Sequence, residues 1–397
     1  MAGFDLLVCG KVLMDLQRTV QQRKRQTLNM SSAVHENVKN YYGSRLETSE
    51  DLQTNAACVM PSRPLPKSAC EALGQVHPDV CKRYFGCGLV IPEKLEGCKV
   101  LDLGSGSGRD CYVLSKLVGE RGQVTGLDMT DEMIVASQKY GQYHQEKFGY
   151  SKANTVFVKG YMEKLNKKTV IKEVYKVLKV SFYDIFFCIA SCYEYHAFHG
   201  CISQEGGELY YSDMYASKVT PESFKEDPVL WGEGMAGALY WQDLITLMKE
   251  TGFSTPHLVA GSHIVVQNPE LQQKTGDVKY SSGTYRIFKL PQHSLTTKAL
   301  VTYKGTVPDC VDCFEFDASH SFKTNVPVEV GAEMAAILQH TRFSTDFSIT
   351  MLDIPDPNLS GNPQPFLKSC GEEKAHPIGG RTRRNITAAQ CRSRFSA

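Results

Sequence analysis

No stretch of the 397 residues approaches the roughly 20 consecutive apolar residues that a membrane-spanning helix needs, so no membrane span is expected. Neither sign of charge prevails. Lysine and arginine number 44 against 43 acids, a formal net charge of +1, and bulk electrostatic binding of nucleic acid is not expected. The N-terminal MAGFDLLVCGKVLMDL holds a short apolar patch but lacks the basic region that opens a secretory signal. A reducing, cytosolic compartment is the expectation, and no internal repeat is found. Cysteine, in contrast, is plentiful at 14. The chain is too long and the spacing too scattered for a disulfide scaffold. In a reducing compartment such thiols pack in cores, ligate metals or metalloids, or do redox chemistry.

The pattern along the chain divides it. Residues 1–30 read as an N-terminal extension expected to be disordered, polar and basic over 17–26. Residues 31–265 read as one domain. Within it 71–84 reads as a helix, Lys99–Leu103 as a strand ending in an acid, and 107–118 as a helix by its apolar spacing. Gln123–Asp128 follows as a second strand ending in an acid, then a helix over 131–146 with Asp131 at its N-cap, then a strand at Thr155–Lys159. Such alternation calls for a parallel sheet, because parallel strands need crossover helices. Residues 169–180 read as an amphipathic helix, 181–205 as an atypical Cys- and aromatic-rich insert, 207–213 as a strand and 237–251 as a helix. From 266 to 355 short β-like runs (283–288, 299–303, 314–316) suggest a smaller C-terminal α+β domain, and 356–397 a loose tail.

The chemistry concentrates in LDLGSGSGRD, residues 101–110. Glycines at 104, 106 and 108 allow a sharp turn at a strand end and close approach of a ligand to the main chain. The following helix offers free N–H groups. A dinucleotide site is written G-x-G-x-x-G; the spacing here, after an acid, suits a cofactor with an adenosine and an amino-acid tail. The expectation is a Rossmann-like class I fold of α/β type that binds S-adenosylmethionine (SAM). Asp102, Gly104, Ser105, Gly106, Gly108 and Arg109 form the loop. Asp128 is placed to accept from ribose hydroxyls, with Met129 beside it, and Glu163 sits where adenine is often contacted.

YYGSRL (41–46), DLQTNAACV (51–59), RYFGCGLVIPEKLEGC (83–98), LDLGSGSGRDCYVLSKLVGE (101–120), VTGLDMT (124–130) and VLWGEGMAGALYW (229–241) together carry a closer resemblance. The chain resembles animal arsenite methyltransferases from about residue 38 to about 347. That resemblance implies transfer of methyl groups from SAM to trivalent arsenic, giving mono- and dimethylated arsenicals. It also implies arsenite or methylarsonite as substrate, thioredoxin or glutathione as reductant, and a cytosolic, monomeric enzyme of detoxification. Trivalent arsenic is thiophilic and favours thiolates, as soft metals do. Three thiolates would hold it with its lone pair free to attack the methyl in line, so positioning is the main demand and no general base is needed. The family's thiolates come from TN-x-C, YYGCG, SNCV and LWGEC segments. Cys58 matches the first with one alanine inserted, and Cys87 matches the second, beside Tyr84, which is expected to line the pocket.

Two segments depart from the family. Gly234 stands where LWGEC has cysteine, and SNCV is missing from its usual place. An altered gene model or splice form that skips one segment and reads through another would account for 181–205, as would an insert whose cysteines are structural or disordered. Alternatively 182–189 (FYDIFFCI) replaces the fourth strand, and Cys188 and Cys192 substitute as arsenic ligands near the sheet edge. The lone C-x-x-C at Cys310 and Cys313 lacks the second pair a zinc site needs. Cys111 reads as a packing residue. Two other functions stay open: a SAM-dependent methyltransferase of another small molecule, and a non-catalytic protein that binds SAM or arsenite.

Overall fold

The computed structural model describes residues 65–84, 90–161, 177–180, 205–250, 253–266, 268–291 and 297–355. Two short helices open it, α1 (Lys67–Leu73) and α2 (Pro78–Lys82). The single helix expected over 71–84 is broken because Pro78 supplies no N–H and clashes with a preceding helical turn. Pro78 instead starts α2, whose first turn is capped by the His77 ring accepting the Asp79 N–H at 3.2 Å.

The doubly wound half follows. Strand β1 (Lys99–Leu103) leads through α3 (Arg109–Val118) to β2 (Gln123–Asp128), then through α4 (Asp131–Lys139) and α5 (Gly141–Phe148) to β3 (Thr155–Lys159). Val100, Leu101 and Leu103 are fully buried, as befits a strand covered on both faces. The helix expected over 131–146 is two helices, parted at Tyr140–Gly141, where glycine gives the helix least support. Thr130, not Asp131, is the N-cap residue of α4. Asp131 lies in the first turn, where a negative charge suits the helix dipole, and pairs with Lys159 at 2.6 Å.

Strand β4 (Val177–Val180) pairs in parallel with β1 on one side and with β5 (Glu208–Ala216) on the other. This corrects two expectations. Residues 177–180 do not finish an amphipathic helix, and the fourth-strand place proposed for 182–189 is already filled. Pairing with two buried neighbours overrides a local helical pattern, and the valines of VLKV suit a strand. Residues 181–204, with Cys188 and Cys192, lie outside the described residues.

Beyond β5 come α6 (Pro228–Gly232), the short β6 (Leu239–Tyr240), α7 (Trp241–Glu250), β7 (His257–Ile264), α8 (Pro269–Thr275) and β8 (Tyr280–Phe288). The eight strands form one sheet in the order β3-β2-β1-β4-β5-β8-β7, with β6 alongside β5. Strand β8 runs antiparallel between β5 and β7. The large sheet therefore extends past residue 266, the expected domain boundary. The 283–288 run belongs to this sheet because it supplies the partner that fully buried β5 needs.

A second unit begins at β9 (Thr297–Tyr303) and continues with β10 (Cys313–Glu315), β11 (Ser321–Lys323), β12 (Pro327–Val330), α9 (Ala332–His340) and β13 (Phe347–Pro355). It has a three-stranded antiparallel sheet, β12-β9-β13, and a β10–β11 hairpin. Its core is aromatic: Tyr303, Phe314, Phe316, Phe322 and Phe343 are at most 1% exposed. Each contributes roughly 1.5–3 kcal/mol of burial.

A buried ionic network joins the units. Arg286 of β8, with no exposure, pairs with Glu208 of β5 at 2.7 Å and with Glu93 at 3.3 Å, and donates to the Phe316 carbonyl at 3.1 Å. Arg342 closes the circuit by pairing with Glu208 and donating to the Glu93 carbonyl at 2.8 Å. Among the described residues no helix is long and apolar enough to cross a membrane.

Candidate active site

Strand order reverses at β1, which has β2 on one side and β4 on the other. The chain departs from β1 in opposite directions on its two sides, and a crevice at the carboxyl ends of such strands is where open α/β sheets take ligands. The glycine loop lies at that crevice. Gly104, Gly106 and Gly108 adopt φ of 73°, 50° and 83°, in the left-handed region that suits glycine. The Gly104 and Ser105 N–H groups both donate to the Leu127 carbonyl, at 2.8 and 2.9 Å, which ties the loop across the end of β2. The three glycines do different things. A Cβ on Gly108 would lie 2.8 Å from the Phe157 ring, so that glycine allows helix and sheet to pack. A Cβ on Gly106 would meet nothing within 4 Å, so the backbone there is bare toward open space.

The two acids are placed differently. Asp102, next to last in β1, is almost fully buried, and its carboxylate accepts the Cys111 thiol at 3.2 Å. Asp128 ends β2, with one oxygen accepting from Gly106 N–H and the other from Thr130 N–H, both at 2.9 Å. Burial pushes the Asp128 carboxyl up, against the lowering effect of those N–H groups. Met129 beside it is half-buried. Ser105 Oγ is buried and has no hydrogen-bond partner among the described residues.

Arg109 opens α3. It pairs with Asp110 at 2.8 Å, and its guanidinium lies 3.1 Å from the centre of the Tyr84 ring. Tyr84 and the glycine loop, 20 residues apart in sequence, are thus brought together by α3. Burial pushes the Cys81 thiol up while Arg109 opposes that shift, which disfavours its thiolate. Cys58, Cys87 and Glu163 lie outside the described residues. The six described cysteines, Cys70, Cys81, Cys98, Cys111, Cys310 and Cys313, form no disulfide. Cys313 Sγ lies 3.1 Å from Ser321 Oγ.

Two site residues escaped the sequence reading. Cys111, read as packing alone, also holds Asp102. Gly126, in the middle of β2, leaves room for the loop: a Cβ there would lie 2.8 Å from Ser105 Oγ and 2.9 Å from Cys111 Sγ. A glycine in the interior of a strand was the available signal.

A methyltransferase-domain family model matches residues 94–252, and an arsenite methyltransferase C-terminal domain model matches 296–366. The mouse arsenite methyltransferase is 42% identical over 351 residues, 83% of this chain and 86% of that one. The human arsenite methyltransferase is 43% identical over 351 residues, 83% and 87% of the two chains. The chain belongs to the arsenite methyltransferase family. The crystal structure of the arsenic(III) SAM methyltransferase of Chlamydomonas reinhardtii is 33% identical, with a TM-score of 0.66, and the match covers 75% of this chain and 98% of that one. As a member of this family the chain is a SAM-dependent methyltransferase with a Rossmann-like domain and a smaller C-terminal domain. The loop geometry fits that cofactor. It offers a bare backbone at Gly106, an unpartnered buried hydroxyl at Ser105, and an acid at the end of each of two adjacent strands.

Gly234, where the family motif has cysteine, is buried in the turn after α6 with φ 78°. Its N–H donates to the Trp231 carbonyl at 2.9 Å. The turn is built on a left-handed residue, and any side chain there costs about 1–2 kcal/mol.

Proposed function

We propose that this chain methylates trivalent arsenic, with Cys58 and Cys87 as the thiolates that hold it. The observation that carries the reading is the glycine loop at the sheet's reversal point, in a chain of this family. Asp128 would hold the ribose, Asp102 and the Gly104–Gly106 backbone the amino-acid end, and Met129 and Glu163 the adenine. Bound SAM supplies a methyl group on a positively charged sulfur, open to attack by a lone pair. The residues here bind, orient and exclude water. Tyr84 stacked on Arg109 is a wall beside the glycine loop, and Cys87 follows it by three residues in the sequence.

Mono- and dimethylated arsenicals are the proposed products, thioredoxin or glutathione the reductant, and a cytosolic monomer the working form. Two protein thiolates are one short of a pyramidal set. A thiol of the reductant would complete it. Gly234 favours a second reading, in which the chain binds arsenite and does not turn it over. Purified chain incubated with arsenite, SAM and glutathione separates the two. Methylated arsenicals from the unmodified chain are expected. Arsenite retained on the chain without product, with product appearing in Gly234→Cys, would establish the second reading instead.

A further inference from the structure

His257 opens β7 in the large sheet, and the turn between β10 and β11 brings Asp317 and His320 from the second unit against it. The Ala318 N–H donates to the Leu258 carbonyl at 2.8 Å, so backbone fixes the turn in place. His257 Nδ1 lies 2.9 Å from Asp317 Oδ2, and His320 Nδ1 lies 2.9 and 3.0 Å from the two Asp317 oxygens. Asp317 Oδ1 also accepts the Ser319 and His320 N–H groups at 2.7 and 2.8 Å, which locks the carboxylate. One ligand atom from each of the three residues falls within 4.8 Å of the others.

Both rings turn Nδ1 toward Asp317, and a ring whose single proton sits there leaves Nε2 as an acceptor. His257 is 6% exposed, and its Nε2 has no hydrogen-bond partner among the described residues. What Nε2 faces is a carboxylate: Glu333 Oε2, 3.8 Å away. Glu333, in the first turn of α9, is itself held by Thr255, whose N–H donates at 2.9 Å and whose hydroxyl donates to Oε2. Arg286, 4.1 Å over the Phe316 ring, is engaged by Glu208 and Glu93.

A cation at the Nδ1 atoms satisfies each of these groups, as a second proton on His257 would, and cobalt binding tells the two apart. The cation replaces the Nδ1 protons, moves the His257 proton to Nε2, and lets that N–H donate to Glu333. The result is the carboxylate–histidine–metal relay that orients metal-ligating histidines. We propose that His257, Asp317 and His320 bind one borderline divalent cation of the zinc class, with Glu333 orienting His257. Two imidazoles and one carboxylate suit zinc, cobalt or nickel. Calcium would need six to eight oxygens. His320, with a side chain 31% exposed, leaves the fourth position to water. The ligands come from both units, so the cation clamps the C-terminal unit to the large sheet.

Thiolates in general also take up zinc, so the test uses cobalt(II), whose nitrogen–oxygen and thiolate sites differ in colour. The full chain, titrated with cobalt(II), is expected to show a visible ligand-field band without thiolate charge transfer that saturates at one equivalent. Zinc displaces it. His320→Ala loses the band, along with the zinc-induced rise in melting temperature, while the circular dichroism stays native. If that variant does not fold, Glu333→Gln leaves all three ligands in place and weakens cobalt binding by about 10- to 100-fold. A chain that binds no cobalt, or binds it only through thiolates, overturns the proposal. So does a band unchanged in His320→Ala, or cobalt affinity unweakened in Glu333→Gln.

Discussion

Gly106→Ala and Gly108→Ala add the same methyl group two residues apart in one loop, with different surroundings. Both backbones are left-handed, at φ 50° and 83°, and alanine there costs about 1–2 kcal/mol in each case. At Gly108 the new Cβ also meets Phe157 Cζ at 2.8 Å, Phe157 Cε1 at 2.9 Å and Ser137 Cβ at 3.0 Å. Overpacking of that kind adds roughly 1–3 kcal/mol, for a total of about 2–5 kcal/mol. At Gly106 the methyl meets nothing within 4 Å, so only the backbone cost applies. Urea denaturation reads stability, and calorimetric titration with SAM reads the site. Gly106→Ala should keep its stability within about 2 kcal/mol of the parent and lose SAM affinity at least tenfold, or ~1.4 kcal/mol. Gly108→Ala should lose more stability than Gly106→Ala. Normal SAM binding by Gly106→Ala would refute the claim that this stretch of backbone faces the cofactor. Equal stability of the two variants would refute the packing argument.

His144 gives a pH prediction. Its ring stacks on Tyr112 at 3.5 Å, Nδ1 donates to the Tyr140 carbonyl at 2.8 Å, and Nε2 accepts the His77 N–H at 3.2 Å. Burial pulls its pKa down to about 4, with His77 adding to the effect and the Tyr140 carbonyl opposing it. The unfolded chain takes the proton first, near the ordinary value of about 6.5. This contribution is therefore complete above about pH 6.5 and lost as pH falls toward 4, on the order of 2 kcal/mol after solvent screening. Denaturation curves at pH 7 and pH 5 should show that slope in the parent and a shallower one in His144→Gln. In the buried network, Glu208→Ala removes the carboxylate shared by Arg286 and Arg342 and should cost about 3–5 kcal/mol by the same assay. A loss below 1 kcal/mol would mean that water reaches the two arginines.

The legible parts of this protein are those whose chemistry is local. The glycine loop with an acid next to last in β1, and the second acid ending β2, lie within 28 residues and can be read from spacing alone. Strand β4 could not be read so: VLKV follows a helix-like pattern, and only its pairing with β1 and β5 makes it a strand. Strand β8 misled in another way. Its residues are plainly β-prone, but nothing in an antiparallel strand's own sequence says which sheet it joins. The Asp317 cluster was invisible because His257 is 60 residues away and belongs to the other unit. The Cys111–Asp102 contact was hidden for a different reason: a cysteine on a buried helix face reads as packing until its neighbour is seen.

The central claim is that an intact cofactor loop serves a thiolate-held arsenic in this chain, despite Gly234. A single-turnover reaction with methyl-labelled SAM, arsenite and glutathione tests it most directly, run on the unmodified chain and on Cys87→Ser. Label should pass to arsenic in the unmodified chain and fail to do so in Cys87→Ser, with SAM affinity equal in the two. Label that stays on SAM in the unmodified chain, with SAM bound, would contradict the account, as would transfer undiminished in Cys87→Ser.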